Sequence, residues 1–460
     1  MVVNRTNLIT LDKSLHFFME KKFIFLLAAL LGYQLFAYAQ VQKIPAMPAQ
    51  KAIQSGQKDT IVAISMTGNV RQIPSWLLEC KNLEELDITA DTVILSAELK
   101  QLTKLKKMRI KAIPSKDFFS ILNQDSNYKK YFDALPNTEK KRVQDSAFQA
   151  FQKSEQVRKP VYMKFNRLEN VRWLDLASCY LSEYPQTLKN LPNLDTLFLS
   201  RNRISLFPKK IKKLKKLSAL FLDYNPVAVK PNSFPKMKYL KKLSIAYGTM
   251  QEVPKSIKKL SGLQSLTLAG NQITTISPQI AKLQDLRQVI FYKNKLDSLP
   301  DAVYELRNLE ELDVYYNNLK RISPKIANLQ NLTHLYLSYN QLSILPNEIG
   351  SLANLQAMYI HHNQFLFVNT NISKLENLQV LHIHNNKLSL FPIEILQLKN
   401  LKELDLTNNA ISDIPIELLQ LSKLKTFRIS KNLFPEDVKK GNTFQEIEKA
   451  LSQRAGTFEY

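Results

Sequence analysis

Residues 194–204 read Leu194-Asp195-Thr196-Leu197-Phe198-Leu199-Ser200-Arg201-Asn202-Arg203-Ile204. This L-x-x-L-x-L-x-x-N-x-L pattern recurs along the chain, and its asparagines are spaced by 23 or 46 residues. They are Asn202, Asn225, Asn271, Asn294, Asn317, Asn340, Asn363, Asn386, Asn409 and Asn432. Gly248 takes the place of the asparagine in the one copy that lacks it. Repetition at this period indicates a solenoid.

The leucine spacing predicts a short strand with one buried face. Leu197 and Leu199 alternate and therefore point to the same side of a strand. A unit of this size cannot bury its own apolar face, so neighbouring units must stack, with parallel strands about 4.8 Å apart. The asparagine lies where the chain leaves the strand, and its side chain can satisfy buried backbone groups. We therefore predict an α/β solenoid with a parallel sheet on its concave face and short helices or turns on its convex face.

The sequence resembles the leucine-rich-repeat family. Leu345-Pro346-Asn347-Glu348-Ile349-Gly350-Ser351-Leu352 fits the L-P-x-x-I-x-x-L pattern of the 23-residue subtype. That subtype is similar to the plant intracellular Ras-group and Ras-suppressor-like repeats and to exported bacterial repeat proteins. The resemblance implies a curved solenoid whose variable positions face outward on the concave side, and it implies no particular partner.

The rhythm of the repeats divides the chain into six predicted segments. In order they are a signal peptide over residues 1–39, a flexible tether over 40–59, degenerate N-terminal repeats over 60–113, a helical insertion without repeats over 114–168, twelve regular repeats over 169–432, and a C-terminal cap over 433–460. The insertion has two interpretations, a lid or dimer arm and a packing excursion on the convex side. The cap is expected because terminal repeats need a polar cover.

The start of the chain predicts export. Met19, itself a second candidate start, opens a short basic stretch before the apolar run from Phe23 to Phe36, and Ala37-Tyr38-Ala39 fits a cleavage site. The run is shorter than the roughly 20 residues of a membrane-spanning helix. No cysteine stands near the cleavage site, which argues against a lipoprotein anchor, and we find no cell-wall anchor. We expect a soluble bacterial protein, secreted or periplasmic.

The charge is strongly basic, with a formal net charge of +24. Between Lys209 and Lys259, 14 lysines accompany only two acids, Asp223 and Glu252. A basic flank of this kind attracts anions such as surface polysaccharide or lipid head groups. The alternative is a solvated face that only keeps the protein soluble. Export argues against a nucleic-acid partner.

Tyrosine and histidine concentrate at the variable positions that face the concave side. We predict a binding surface there, made of Tyr292, Tyr315, Tyr316, His334, Tyr336, Tyr339, Tyr359, His361, His362, His382, His384 and Asp405. Exposed tyrosines supply contact area at a low entropy cost, so a protein or peptide ligand is favoured. A glycan would also suit flat tyrosine rings. The structural alternative is stacking along the sheet with no ligand.

The histidines suggest a metal site as a lesser hypothesis. His361, His382 and His384, with Asp405 beside them, offer ligands for zinc, copper or nickel. Side chains on adjacent parallel strands are expected to point the same way rather than converge, so ligand contacts or a pH-dependent surface are favoured over a metal. The sequence carries no phosphate-binding glycine loop, no HExxH and no serine elbow. We therefore predict no enzyme activity and no cofactor, and leave the oligomeric state open.

Overall fold

The computed structural model describes residues 47, 48, 51, 54, 56, 58–113 and 158–460. A parallel sheet of 17 strands runs through these residues, and neighbouring strands follow one another in chain order. Its strands are Met47–Pro48, Ala63–Thr67, Glu85–Thr89, Lys107–Lys111, Trp173–Asp175, Thr196–Phe198, Ala219–Phe221, Lys242–Ser244, Ser265–Thr267, Gln288–Ile290, Glu311–Asp313, His334–Tyr336, Ala357–Tyr359, Val380–His382, Glu403–Asp405, Thr426–Arg428 and Thr457–Glu459. The predicted α/β solenoid is confirmed.

Short 3-10 helices occupy the opposite side of most repeats. They are Lys58–Thr60, Ala97–Gln101, Gln186–Asn190, Lys209–Lys213, Lys255–Lys259, Pro278–Lys282, Asp301–Glu305, Pro324–Asn328, Asn347–Ser351, Thr370–Lys374, Ile393–Gln397 and Ile416–Gln420. Proline usually precedes the turn, as Pro346 does, and Ile349 then donates its N–H to the Pro346 carbonyl at 3.1 Å. In two repeats the proline falls one residue later, and a serine caps the turn instead: Ser277 and Ser323 each accept an N–H at 3.3 Å.

The asparagines form the predicted ladder beneath the sheet. Asn317 accepts the N–H of Leu296 at 3.0 Å and donates to the carbonyls of Phe291 and Val314, also at 3.0 Å. Each asparagine thereby joins its own repeat to the preceding one. Gly248 has no side chain and so interrupts the ladder. The N–H of Val227, in the preceding repeat, donates to the backbone carbonyl of Asn225 instead.

A second row of asparagines, which the sequence analysis did not identify, runs along the flank where the strands begin. Each of its members precedes the first leucine of a repeat and donates its side-chain amide to a backbone carbonyl 24 residues earlier, at 2.7–3.0 Å. The row consists of Asn193, Asn308, Asn331, Asn354, Asn377 and Asn400. Both flanks of the array are therefore held by side-chain amides.

Two smaller parallel pairs lie beside the main sheet. Thr92–Leu95 pairs with Tyr162–Phe165, and Glu252–Val253 pairs with Thr275–Ile276. The first pair corrects the predicted helical insertion over 114–168, because its C-terminal part is a strand that completes the third repeat. The rest of that prediction, residues 114–157, lies outside the described residues.

The two ends of the array also differ from expectation. Met47–Pro48, placed in the predicted flexible tether, pairs with Ile64 and Ser65 as the first strand. At the other end, the helices Glu436–Lys439 and Asn442–Gln453 precede Thr457–Glu459, a strand that adds to the last repeat. A strand was not predicted there, because three residues carry no measurable periodicity. The predicted signal peptide, residues 1–39, lies outside the described residues.

We expect Asn317→Ala to lower the free energy of unfolding by about 2–4 kcal/mol, because it removes the buried hydrogen bonds of the Asn317 side chain and leaves backbone groups without partners. Urea unfolding followed by circular dichroism measures the change. Asn331→Ala is the matched control, since Asn331 makes one bond of 3.0 Å on the exposed flank and should cost less than about 1 kcal/mol. Equal unfolding midpoints for the two variants would contradict a stabilising role for the inner ladder.

Candidate functional site

The concave surface is built from strand register. Parallel pairing places Tyr336 beside Tyr359, Tyr359 beside His382, and His382 beside Asp405. The rings of Tyr336 and Tyr359 stack with centroids 4.8 Å apart, and Tyr359 meets His382 edge-on at 5.0 Å. His334 begins the strand that carries Tyr336, and the rings of the two residues stack with centroids 6.3 Å apart. The predicted row of outward-facing residues is thus continuous across four strands.

A left-handed residue before each asparagine adds a second side chain to this face. Tyr316, Tyr339 and His362 have φ values of 60°, 52° and 51°. In an extended chain, consecutive side chains alternate between faces, whereas a left-handed residue reverses that alternation. His361 and His362 consequently face each other, with their Nδ1 atoms 2.8 Å apart.

The tyrosines in the first half of the surface form a partly buried cluster. Tyr292 and Tyr315 lie with centroids 5.4 Å apart, and Tyr339 contacts both Tyr315 and Tyr316. Ala246 and Ala269 complete the apolar cluster around Tyr292. Small side chains on the preceding strands leave room for the tyrosine rings to lie down against the sheet.

Burial differs from the expected row of exposed rings. Tyr292, Tyr315, His361 and Asp405 are buried, whereas Tyr316 is 44% exposed. The other predicted members, His334, Tyr336, Tyr339, Tyr359, His362, His382 and His384, are partly buried. The rings cover one another because strands in register bring bulky side chains within one ring width of their neighbours. The surface therefore offers ring edges and hydroxyl groups more than free ring faces.

Three histidines converge next to the tyrosines. His361 and His384 stack with centroids 4.1 Å apart, and Tyr339 stacks on His362 at 3.8 Å. One ring nitrogen from each of His361, His362 and His384 lies within 4.8 Å of the others. This set differs from the predicted set of His361, His382 and His384, because the left-handed turn brings His362 inward.

Carboxylates lie next to His382 and to His384, the cluster member nearest the C-terminus. His382 Nε2 lies 3.1 Å from Glu403 Oε1, and Arg428 donates to the same oxygen at 2.8 Å. The hydrogen bond from His382 and then that from Arg428 lower the pKa of Glu403 to about 2. His384 Nδ1 lies 3.4 Å from Asp405 Oδ2. The sequence analysis missed Glu403 and Arg428, although Glu403 stands two residues before Asp405 and so shares its face.

His361 and His362 stay uncharged at neutral pH. Burial, followed by the neighbouring His384, His362 and His382, lowers the pKa of His361 well below its usual value. Burial also lowers the pKa of His362 to about 4. The predicted pH-dependent surface would therefore gain charge at these two residues only at a lower pH than ordinary histidines do.

Two tyrosines of the surface, Tyr292 and Tyr315, keep their hydroxyl protons at neutral pH. Burial, and then the neighbouring tyrosines, raise the pKa of Tyr292 and Tyr315. Asp313 lies beneath Tyr315, whose N–H it accepts at 2.9 Å, and burial raises its pKa to about 8. The middle of the surface thus carries little charge, and the charged pairs lie at its C-terminal edge.

Comparisons with known proteins agree with this architecture. Profiles described as leucine-rich repeats match residues 169–227 and 400–421, and one described as a leucine-rich repeat region matches 279–390. The matched residues are therefore leucine-rich repeats. A search of the curated proteins finds no match. No helix among the described residues is both long and apolar enough to cross a membrane.

Solved structures share the fold. A leucine-rich-repeat protein of Leptospira interrogans is 25% identical with a TM-score of 0.64, and the match covers 90% of this chain and 100% of that one. The Toll–Spatzle complex of Drosophila gives 16% identity and a TM-score of 0.60, covering 81% of this chain and 46% of the other. The TLR13–ssRNA13 complex gives 18% identity and a TM-score of 0.57, and the match covers 85% of this chain and 56% of the other. The chain thus spans about half the length of the last two, which are similar in fold alone.

We expect the free energy of unfolding to fall as the pH drops from 6.5 towards 4. The folded state holds His361 and His362 neutral, whereas the unfolded chain protonates them near pH 6.5. Their stabilising contribution is therefore complete above pH 6.5 and lost below it. Urea unfolding at pH 7.5 and 5.0 should differ by about 1–3 kcal/mol, allowing for solvent screening at the partly exposed His362.

The variant His362→Gln should flatten this pH dependence. His334→Gln is the control, because His334 lies outside the cluster and bonds to Thr333 at 2.9 Å; it should keep the slope of the wild-type protein. A wild-type slope in His362→Gln would show that other groups cause the pH dependence.

Proposed function

We propose that the chain is a binding protein whose concave surface, from Tyr292 to Asp405, receives a protein or peptide. The observation that carries this proposal is the preordered wall of rings: tyrosines and histidines from consecutive repeats touch one another across the strands. Their mutual packing fixes the rings before a ligand arrives, so binding need not pay the entropy of ordering them. We propose no enzyme activity for this surface.

The dimensions of the surface suggest the length of the ligand. The concave surface crosses six strands, from Gln288–Ile290 to Glu403–Asp405. Strands about 4.8 Å apart give a span of about 24 Å, which an extended peptide covers with about seven residues. We infer that a segment of this length lies across the strands and contacts one or two side chains of each repeat.

The chemistry of the surface suggests the character of the ligand. Its middle carries neutral rings with hydroxyl and imidazole groups, and the partly exposed Tyr316, Tyr336 and Tyr359 present them to solvent. Its C-terminal edge carries Glu403 paired with Arg428. We infer a ligand with an apolar or aromatic centre and a polar group at the end that meets this ion pair.

We also propose that this binding takes place outside the cytoplasm, in the periplasm or the surroundings of a bacterial cell. The support comes from the basic stretch, apolar run and A-x-A site within residues 1–39. We propose as well that the repeats belong to the 23-residue subtype, and the L-P-x-x-I-x-x-L pattern of residues 345–352 supports this. N-terminal sequencing of the exported protein tests cleavage after Ala39.

A peptide library displayed on phage, selected on the purified full chain, supplies the ligand for a direct test. We expect Tyr336→Ala and Tyr359→Ala each to weaken a selected peptide by about tenfold or more, since buried aromatic anchors dominate such interfaces. Isothermal titration calorimetry measures the affinity. The matched control is Tyr239→Ala, because Tyr239 is 65% exposed and lies outside the concave surface.

Affinity that survives both concave substitutions, or falls equally in Tyr239→Ala, would overturn the proposed site. Circular dichroism must first show that each variant is folded.

A second candidate function is binding of an anionic polymer, and one observation favours it. A cavity of about 200 Å³ is lined by Tyr184, Gln186, Lys189, Lys210 and Lys213. The hydroxyl of Tyr184 is buried and has no hydrogen-bond partner among the described residues. A cavity lined by this hydroxyl donor and by three lysines suits a sulfate or phosphate group of a surface polysaccharide.

Retention on a heparin matrix tests this second candidate. We expect Lys210→Glu with Lys213→Glu to abolish salt-sensitive retention, because exposed charges act over about 8–10 Å at moderate salt. Lys374→Glu, on a distant repeat, should change retention little. Retention that is unaffected by the double substitution would show that the cavity does not bind the anionic polymer.

A further inference from the structure

We propose that His361, His362 and His384 form a binding site for a divalent transition-metal ion that prefers imidazole nitrogen, such as Zn²⁺, Cu²⁺ or Ni²⁺. The site does not depend on the peptide-binding function, and it takes three nitrogens from two adjacent repeats. Imidazole suits these metals better than it suits Mg²⁺ or Ca²⁺, which select oxygen ligands.

The geometry brings the three nitrogens almost to coordinating positions. They lie within 4.8 Å of one another, and the Nδ1 atoms of His361 and His362 are 2.8 Å apart. Metal–nitrogen bonds of about 2.0–2.1 Å in a tetrahedral site separate two nitrogens by about 3.3 Å. Rotations of the side chains that move the nitrogens by about 1–1.5 Å therefore suffice, without movement of the backbone.

The backbone explains why these side chains converge. His361 and His384 occupy equivalent positions on neighbouring repeats and stack at 4.1 Å. His362 follows His361 in the left-handed conformation, with φ of 51°. The turn aims its ring at the other two instead of away from them. Tyr339 packs against that ring at 3.8 Å and restricts its rotation.

A carboxylate orients one of the proposed ligands. His384 Nδ1 lies 3.4 Å from Asp405 Oδ2. When the Nδ1 proton of a histidine faces a carboxylate, Nε2 is left as the metal ligand and becomes more basic. Asp405 is buried, and its other oxygen accepts the N–H of Thr407 at 2.9 Å, which fixes the position of the carboxylate. Asp405 is thus a positioning residue.

Protonation favours the same conclusion. A histidine binds a metal through the lone pair of its neutral form. The pKa of His361 lies well below its usual value because the side chain is buried, and the pKa of His362 is lowered to about 4 for the same reason. Protons therefore compete little with a metal ion at neutral pH.

Three protein ligands leave a tetrahedral ion with one open position. That position faces the concave surface, where water or a donor group of a bound molecule completes the coordination. His382 lies outside the ligand set, because it is not among the histidines whose ring nitrogens lie within 4.8 Å of one another, and Glu403 engages its Nε2 at 3.1 Å.

Titration of the untagged full chain, stripped with EDTA, tests the proposal. Isothermal titration calorimetry with Zn²⁺ and with Cu²⁺ should each give one ion per chain. The spectrum of the Cu²⁺ complex by electron paramagnetic resonance should show hyperfine splitting from imidazole nitrogens. The chain contains six histidines, so the background of nonspecific sites is small.

Substitutions then identify the ligands. We expect His361→Ala, His362→Ala and His384→Ala each to weaken binding by about tenfold or more and to reduce the nitrogen splitting. Asp405→Asn should weaken binding by about tenfold with the splitting retained and with thermal unfolding close to that of the wild-type protein. His334→Ala and His382→Ala are matched controls from the same surface and should bind as the wild-type protein does.

Absence of stoichiometric binding would overturn the proposal, and so would binding that survives His361→Ala and His384→Ala together. A loss in His382→Ala as large as that in His362→Ala would overturn the ligand set. The variant Tyr336→Ala separates the two proposals, because it should impair peptide binding and leave metal affinity unchanged.

Discussion

Hydrogen bonds from buried asparagine side chains are the interaction on which the rest of the structure depends. A strand of three residues, such as Glu311–Asp313, leaves many backbone groups of its turn beyond the reach of the sheet. Asn317 binds four backbone groups, two in its own repeat and two in the preceding one. Buried backbone groups without partners are costly, so the asparagines fix both the turn and the distance to the next repeat. Every feature of the concave surface inherits its position from that spacing.

The spacing of residues allowed much of the fold to be predicted. The asparagines and leucines determine strand position and register, and register alone places Tyr336 beside Tyr359 and His382 beside Asp405. Terminal elements escaped prediction, because Met47–Pro48 and Thr457–Glu459 are too short to carry a pattern and form only by adding to an existing edge. Their stability comes from tertiary contacts rather than from local preference.

The site was predictable as a list of residues but not as an arrangement. Tyr315 and His361 are buried because rings from three repeats pack against one another. The sequence of a single repeat does not specify that packing. The role of His362 depends on the sign of one backbone angle. Periodicity describes which face a residue occupies in an extended strand, and it fails where the chain leaves the strand.

The left-handed residue before each asparagine has a consequence for the energetics of the whole array. Among the regular repeats only Gly270 meets this requirement without strain, while Tyr316, Tyr339 and His362 adopt the same conformation with large side chains. Each such residue costs about 1 kcal/mol or more relative to glycine. The chain therefore gives up several kcal/mol of folding stability to hold side chains at this position, aromatic ones in the middle repeats and others such as Arg201, Lys293 and Lys431 elsewhere. A protein shaped only by stability would place glycine there, so this surface is maintained at the expense of the fold that carries it.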